Sequence, residues 1–147
     1  MAATMLIAST AACGLTEPSG PHADVEARLA AARALWRSQT LNDYTYVFAR
    51  SCFCAPDFRE PALVTVRGGT IASVVGATNG APRDVAQFRT IVGLFDLIQE
   101  AIDQNAATIN VEFDGTRGFV TSAYIDVSQR VADEEYSIEA RSLTPVR

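Results

Sequence analysis

Two cysteines on either side of one phenylalanine form the most reactive arrangement in the sequence. Cys52 and Cys54 follow a run of strand-forming residues. Side chains two positions apart in a strand project from the same face, with Cα atoms roughly 6.5–7 Å apart. This separation is at the upper limit for a disulfide, so a bond between the two sulfur atoms requires a bend in the backbone. Pro56 favours such a bend because it ends strand pairing.

Three interpretations of this pair are open. Cys52 and Cys54 form a local disulfide that shapes the following loop, or they are reduced thiols without a function, or they have a redox or metal-binding role. A structural zinc site requires four ligands, but the only histidine is His22, which lies next to a stretch rich in proline and glycine. The sequence therefore predicts no metal and no cofactor. A disulfide is the favoured interpretation, because export would bring the pair into an oxidising compartment.

The lack of any histidine other than His22 also argues against most catalytic arrangements. A serine or cysteine nucleophile is commonly activated by a histidine, and the remaining bases in this chain are carboxylates. Gly68 and Gly69 stand between two predicted strands rather than before a helix, so they do not form a phosphate-binding loop. The sequence thus predicts no catalytic residue and favours a non-enzymatic protein.

Four carboxylates are the remaining candidates for a site. Asp126, Asp133 and Glu135, together with Glu134, could gather near one end of the last two strands, and Asp114 with Glu112 could lie at another. Paired carboxylates perform acid–base chemistry or bind calcium. Their spacing does not fit an EF-hand loop, and the Asp-Gly pair at residue 114 is typical of a turn. We therefore predict that all four are solvated groups in turns and on strand faces.

The N-terminal residues predict where the protein functions. Residues 1–12 are uncharged and largely apolar, and they are fewer than the roughly 20 that cross a bilayer. The run Thr-Ala-Ala-Cys-Gly that contains Cys13 resembles the lipobox of bacterial lipoproteins, in which the cysteine is lipidated. We predict a signal-like segment at 1–13, a tether at 14–22 and one globular domain at 23–147. The alternative is an alanine-rich disordered N-terminus with an incidental cysteine.

The composition is typical of a folded domain and argues against a nucleic-acid partner. The chain has 147 residues, 48% of them hydrophobic, and a formal net charge of -5. It contains no lysine, and its arginines are scattered from Arg28 to Arg147. A nucleic-acid surface requires clustered positive charge. The sequence therefore predicts no nucleic-acid partner.

Two segments have the apolar periodicity of helices. The first begins at Asp24, a suitable N-cap, ends near Gln39 and carries one apolar stripe. The second spans residues 90–104, where the Thr90 hydroxyl is predicted to cap the first turn and Asn105 to end the helix in a left-handed conformation. Each stripe needs another layer of structure to cover it.

Six segments have the alternation of strands. The pattern places them at 44–51, 62–67, 70–75, 108–113, 119–127 and 135–143. Gly68-Gly69 indicates a tight hairpin between the second and third strands, because the turns that match strand twist need positive φ. The order helix, three strands, helix, three strands predicts a two-layer α+β domain. Its two helices would pack on one face of an antiparallel sheet of about six strands.

A series of short motifs resembles one family. The motifs are Tyr44-x-Tyr46, Cys52-x-Cys54, Leu94-Phe95, Phe113-Asp114, Gly118-Phe119, Ile125-Asp126 and Asp133-Glu134-Glu135-Tyr136. In order and spacing they resemble the bacterial domain-of-unknown-function family 6174, whose members are small exported, lipoprotein-type domains with a C-x-C motif. The resemblance covers about residues 25–143. It implies an exported, often lipid-anchored domain without an assigned activity, and it supplies no catalytic residues.

These observations together predict an envelope domain with a binding role. Lipid at Cys13 would anchor it to the membrane, and its partner, a protein or a small molecule, would contact the open sheet face or the loops. The alternative function is that of a thiol redox protein that uses Cys52 and Cys54. The sequence leaves the partner and the oligomeric state open.

Overall fold

The computed structural model describes residues 20–130 and 133–146. Within these ranges two long helices and six strands follow the predicted order. The long helices are α1 (Ala23–Ser38) and α3 (Ile91–Asp103), and a one-turn helix, α2 (Pro56–Arg59), lies between them in the chain. The strands are β1 (Tyr44–Cys52), β2 (Ala62–Arg67), β3 (Thr70–Gly76), β4 (Thr108–Phe113), β5 (Val120–Asp126) and β6 (Tyr136–Pro145).

All six strands form one antiparallel sheet in the order β3-β2-β1-β6-β5-β4. Each half of the sheet consists of three strands that are consecutive in the sequence. The halves are joined by β1 and β6, whose pairing extends to Cys52 opposite Tyr136. Gly68 and Gly69, in the β2–β3 turn, have φ values of 54° and 76°. The predicted hairpin is confirmed.

Helix α1 buries the predicted stripe. Its buried residues are Val25, Leu29, Ala32 and Trp36. The prediction of Asp24 as the N-cap is wrong, because the helix begins at Ala23 and His22 occupies the cap position. His22 Nε2 lies 2.7 Å from the carbonyl oxygen of Ala106, a contact between distant segments that local sequence does not reveal. Asp24 lies in the first turn, where its charge suits the positive end of the helix dipole.

Helix α3 has the end geometry that its sequence predicts. The Thr90 hydroxyl accepts a hydrogen bond from the Gly93 N–H at 3.1 Å, and Asn105 has a φ of 52°. The buried residues of the helix are Ile91, Leu94, Phe95, Ile98 and Ala101. They join the α1 stripe in one hydrophobic core. The α+β fold with helices over one antiparallel sheet is therefore confirmed.

The core lies between the two long helices and one face of the sheet. Alternate residues of β1, namely Tyr44, Tyr46 and Phe48, are buried on this face. No polar or charged residue within the described ranges is buried as a whole, so the core is largely apolar. Helices α1 and α3 leave the opposite face of the sheet open. That open face and the loops at its ends are therefore accessible to a partner.

Two short elements replace predicted loops. The segment after β1 forms α2, with Pro56 in its first turn, where the missing proline N–H costs no helical hydrogen bond. Val85–Gln87 forms a 3₁₀ turn in which the Asp84 side chain accepts a hydrogen bond from the Ala86 N–H. Neither element is long enough to produce helical periodicity in the sequence. None of the helices in the described residues is long and apolar enough to cross a membrane.

Candidate functional site

The loop that follows β1 holds the cysteine pair at one end of the sheet. Cys52 is the last residue of β1, and the backbone bends at Phe53 and Cys54. The bend brings the Cα atoms of Cys52 and Cys54 to 5.3 Å from each other, closer than the roughly 6.5–7 Å of an extended strand. Their sulfur atoms lie at bonding distance. The predicted bend is confirmed, and the two residues form a close pair.

Phe53 projects from this loop into solvent. Its side chain is 84% exposed, the largest value among the exposed large hydrophobic residues of the described chain. Cys52 and Cys54 on either side of it are only partly exposed. An aromatic ring with this exposure adds little to the core, so its burial against a partner would remove a large apolar area from water. We call residues 52–55 the Phe53 loop.

Arg83 fixes the segment that follows the Phe53 loop. Its Nη1 donates a hydrogen bond to the Asp57 carbonyl oxygen at 2.9 Å, and its guanidinium also pairs with the Glu60 carboxylate. The Arg83 N–H in turn donates to the Val74 carbonyl oxygen at 3.0 Å, which ties this segment to the edge strand β3. Sequence analysis missed Arg83, because its side-chain partners lie 23 and 26 residues away and a lone arginine in a loop has no periodic signal.

Two hollows flank the Phe53 side chain. The first has a volume of about 340 Å³. It is lined by Cys52, Phe53, Cys54, Ala55 and Arg59. The second has a volume of about 280 Å³, and we call it the acidic hollow. It is lined by Ser51, Cys52, Phe53, Tyr124, Asp133, Glu135, Tyr136 and Ser137. The structure thus brings two of the candidate carboxylates, Asp133 and Glu135, next to the cysteine pair.

The other two candidate carboxylates lie elsewhere. Asp114 Oδ1 accepts hydrogen bonds from the N–H groups of Thr116 (3.0 Å) and Arg117 (2.6 Å), so it closes the β4–β5 turn as its sequence predicts. Asp126 ends β5 opposite Thr108 and does not line the acidic hollow. The expected grouping of Asp126 with the other two therefore does not form. Within the described residues no group of three or more His, Cys, Asp or Glu could hold a metal ion.

Positive charge collects on the helix-facing side of the same end of the sheet. The Arg50 guanidinium lies 5.4 Å from the centre of the Phe48 ring and donates a hydrogen bond to the Gln87 carbonyl oxygen at 3.2 Å. Burial lowers the pKa of Arg50, and repulsion from Arg89 lowers it further. Burial, followed by the charge of Glu100, raises the pKa of Tyr136. The two faces of this end of the sheet therefore differ in charge.

The family of the chain follows from one comparison. A family model described as a family of unknown function, DUF6174, matches residues 28–145. The chain belongs to this family. The resemblance carried by the sequence motifs is therefore confirmed. No curated protein and no solved structure matches the chain. Cys13 precedes the matched range and lies outside the described residues, so its lipidation stays a prediction.

Several motif residues of this DUF6174 domain make contacts that hold the helices on the sheet. The Tyr44 hydroxyl accepts a hydrogen bond from the Ile91 N–H at 3.0 Å, and the Tyr46 hydroxyl donates one to the Arg89 carbonyl oxygen. Gly118 has a φ of 80° and lies directly against α1. By contrast, the cysteine pair and the segment 133–136 meet at the surface around the acidic hollow. This surface is the candidate functional site.

Proposed function

We propose that the protein is an exported, lipid-anchored domain of the cell envelope that binds a partner through the Phe53 loop. The observation that carries the binding role is the 84% exposure of Phe53 in a loop whose flanking cysteines have their sulfur atoms at bonding distance. A partner that covers this ring gains apolar burial, and the loop loses little freedom on binding because its bend is already formed. Large side chains held at the surface in this way are typical anchors of protein interfaces.

Two features support export. The residues around Cys13 have the small-residue pattern of a lipobox. The close approach of Cys52 and Cys54 suits a disulfide, and disulfides persist in oxidising compartments outside the cytosol. A lipid at Cys13 would leave the residues before His22 as a tether between the membrane and the domain, since His22 itself contacts Ala106 of the domain. The proposal therefore places the Phe53 loop on a domain that is free to reorient at the membrane surface.

Mass spectrometry of the mature N-terminus tests the anchor. The full chain is expressed in a bacterium, and its membrane fraction is analysed with and without the substitution Cys13→Ala. We expect a diacylated or triacylated cysteine as the first residue in the unchanged chain and no lipid in the variant. An unmodified chain recovered from the cytoplasm would contradict the anchor.

Site-specific crosslinking tests the binding role. A photoreactive phenylalanine analogue is placed at position 53 in the cell-expressed chain, and at position 58 as a control, since Phe58 is 40% exposed in the neighbouring α2. We expect a discrete adduct from position 53 and a weaker or absent one from position 58. Equal, diffuse crosslinking from both positions would show that the Phe53 loop is not a specific contact.

A thiol redox function is the second candidate, and one observation favours it. Arg59 lines the same hollow as both cysteines, and a nearby cation stabilises a thiolate. The reduction potential of the purified protein separates the two functions. A structural disulfide has a potential below about −300 mV, whereas thioredoxin-type catalysts lie near −270 mV or higher. A value in the catalytic range, lost in Cys54→Ser, would support the redox function over the binding role.

A further inference from the structure

The acidic hollow is built on the open face of the sheet where three strands lie side by side. Ser51 of β1 is opposite Ser137 of β6, and Ser137 is opposite Tyr124 of β5. Two small serines between larger side chains leave a depression in the surface at this point. Phe53 forms one wall, and the segment that carries Asp133 and Glu135 forms another. The hollow therefore depends on the central pairing of β1 with β6.

The charge of this hollow is of one sign. Asp133 and Glu135 contribute two exposed carboxylates, and among the residues that the structure describes no lysine, arginine or histidine lines the hollow. Neither carboxylate forms a salt bridge with any residue that the structure describes. Arg50 and Arg89 lie on the helix-facing side and do not line the hollow. A cationic group is therefore the electrostatic complement of this surface.

The aromatic residues narrow the kind of cation. Phe53 and Tyr124 are 84% and 37% exposed, and both line the hollow. The face of an aromatic ring attracts a cation within about 6 Å of its centre. A guanidinium group combines this stacking with paired N–H donors that fit a carboxylate, whereas a bare metal ion would find too few ligands. Aromatic rings and carboxylates together favour an arginine side chain.

The size of the hollow indicates how much of a ligand it holds. A volume of about 280 Å³ lies just below the roughly 300–1,000 Å³ of pockets that enclose drug-sized ligands. One long side chain fits such a space. We propose that the acidic hollow binds the guanidinium of an arginine presented by a protein partner. This inference deepens the proposed binding role of the Phe53 loop and rests on it, because Phe53 forms the wall of the hollow.

A peptide titration tests the inference with the whole chain, in which Cys13→Ser prevents lipidation. The probes are an acetylated and amidated Gly-Arg-Gly peptide and its citrulline analogue, which has nearly the same shape but no charge. Nuclear magnetic resonance follows the backbone amide signals. We expect the arginine peptide to shift the signals of Ser51, Phe53, Tyr124 and Ser137 and to bind at least tenfold more tightly than the citrulline peptide.

Matched variants locate the interaction. The double substitution Asp133→Asn with Glu135→Gln should weaken arginine binding at least tenfold, because it removes both charges and keeps the side-chain sizes. Glu134→Gln is the control, since Glu134 lies between them in the sequence but does not line the hollow. Tyr124→Ser should weaken binding while the carboxylates remain. Asp133, Glu134 and Glu135 are exposed, so the carboxylate variants should keep the wild-type melting temperature.

Three outcomes would overturn the inference: equal binding of both peptides, unchanged binding by the double variant, or signal shifts confined to another surface. These results are distinct from a failure of the proposed function. If crosslinking from position 53 persists while the arginine peptide does not bind, the binding role stands and arginine recognition is wrong. If the peptide binds but no specific crosslink forms in cells, the hollow recognises arginine and the proposed partner role fails.

Discussion

Over strands β1–β3 large aromatic side chains fill the space below the helices, whereas over β4–β6 the helix backbones come close to the strands. In the first half, the Trp36 ring of α1 packs edge-on against Tyr44 at 5.4 Å, and the Tyr44 and Tyr46 hydroxyls bond to the backbone at the start of α3. In the second half, α1 contacts β4, and α3 contacts β4 and β5.

The difference teaches how one pair of helices is fixed over a wide sheet. Hydrogen bonds of the buried Tyr44 and Tyr46 hydroxyls position α3 over the first half, so stability there depends on the polar groups of these side chains. Close contact between the α1 backbone and Gly118 positions α1 over the second half, so stability there depends on the size of the side chain at 118. A Cβ at position 118 would clash with the carbonyl oxygen of Ala32 in α1 and would lie 3.1 Å from the backbone nitrogen of Trp36.

Truncation of the α3 core should have the largest effect, because it weakens the cover of both halves. Leu94 and Phe95 are each 1% exposed, and Phe95 stacks on Phe113 of β4 at 6.4 Å. Leu94→Ala or Phe95→Ala should each lower the free energy of unfolding by about 2–5 kcal/mol. Urea denaturation measures the loss. Val92→Ala is the control, since Val92 is 51% exposed on the same helix. Unchanged midpoints in both core variants would show that α3 does not pack as described.

Gly118→Ala tests the close approach in the second half. An alanine at 118 would have an unfavourable φ, and its Cβ would also clash with the α1 backbone. The clash should lower the free energy of unfolding by about 1–3 kcal/mol beyond the loss caused by φ. Gly69→Ala is a matched control, because Gly69 has a similar φ, 76° against 80°, and nothing lies within 4 Å of its added Cβ. Thermal and urea denaturation of both variants give the difference. Equal losses of stability in the two variants would show that close packing against α1 is not the reason for glycine at 118.

Tyr46→Phe tests the hydrogen bonds in the first half. The change keeps the ring and leaves the Arg89 carbonyl oxygen without its donor. The hydrogen bond is only part-buried, so its loss should lower the free energy of unfolding by about 0.5–1.5 kcal/mol. Amide hydrogen exchange at the start of α3 should accelerate in the variant. Tyr124→Phe serves as the control, since the Tyr124 side chain is exposed and its variant should retain the wild-type stability. A stability loss confined to the β4–β5 region would contradict the assignment.

Alkaline pH should lower the free energy of unfolding gradually, through the buried tyrosines of the first half, and by less than the substitutions above. Burial raises the pKa of Tyr46 far above its ordinary value of 10.0, with a further contribution from Tyr44, and burial also raises the pKa of Tyr44. The folded protein therefore holds protons that the unfolded chain releases. Stability should be constant below pH 10 and should fall above it, by up to about 1.4 kcal/mol per pH unit for Tyr46.

Urea midpoints between pH 8 and pH 11 measure this fall. In Tyr46→Phe the slope above pH 10 should be shallower, because one of the buried phenols is absent. A midpoint that rises with pH, or an identical slope in the variant, would show that Tyr46 does not resist ionisation in the folded state.

Local sequence predicted most of the secondary structure. The caps at Thr90 and Asn105, the glycine pair between β2 and β3 and the alternation in β4 each depend on neighbouring residues, so periodicity and turn chemistry are sufficient to locate them. The predicted strand boundaries lie within two residues of those in the structure. The predicted N-cap of α1 was wrong: His22 occupies the cap position, and it contacts Ala106, which is 84 residues away and leaves no local signal.

The candidate site was predictable only in part. The cysteine pair and the need for a bend at it follow from spacing alone, since both concern residues two positions apart. The role of Arg83 and the exclusion of Asp126 from the acidic hollow depend on how distant segments pack. No pattern in a single sequence reports such distances.

The sequence by itself determined the strands, the long helices, the family and the chemical character of each surface residue. Only the tertiary structure decided that β1 pairs with β6, the last strand in the chain, and thereby joins the two halves. This pairing places the Phe53 loop beside Asp133 and Glu135. The physical reason is that pairing between strands far apart in sequence is selected by burial of the whole core, to which every element contributes, and not by any local preference.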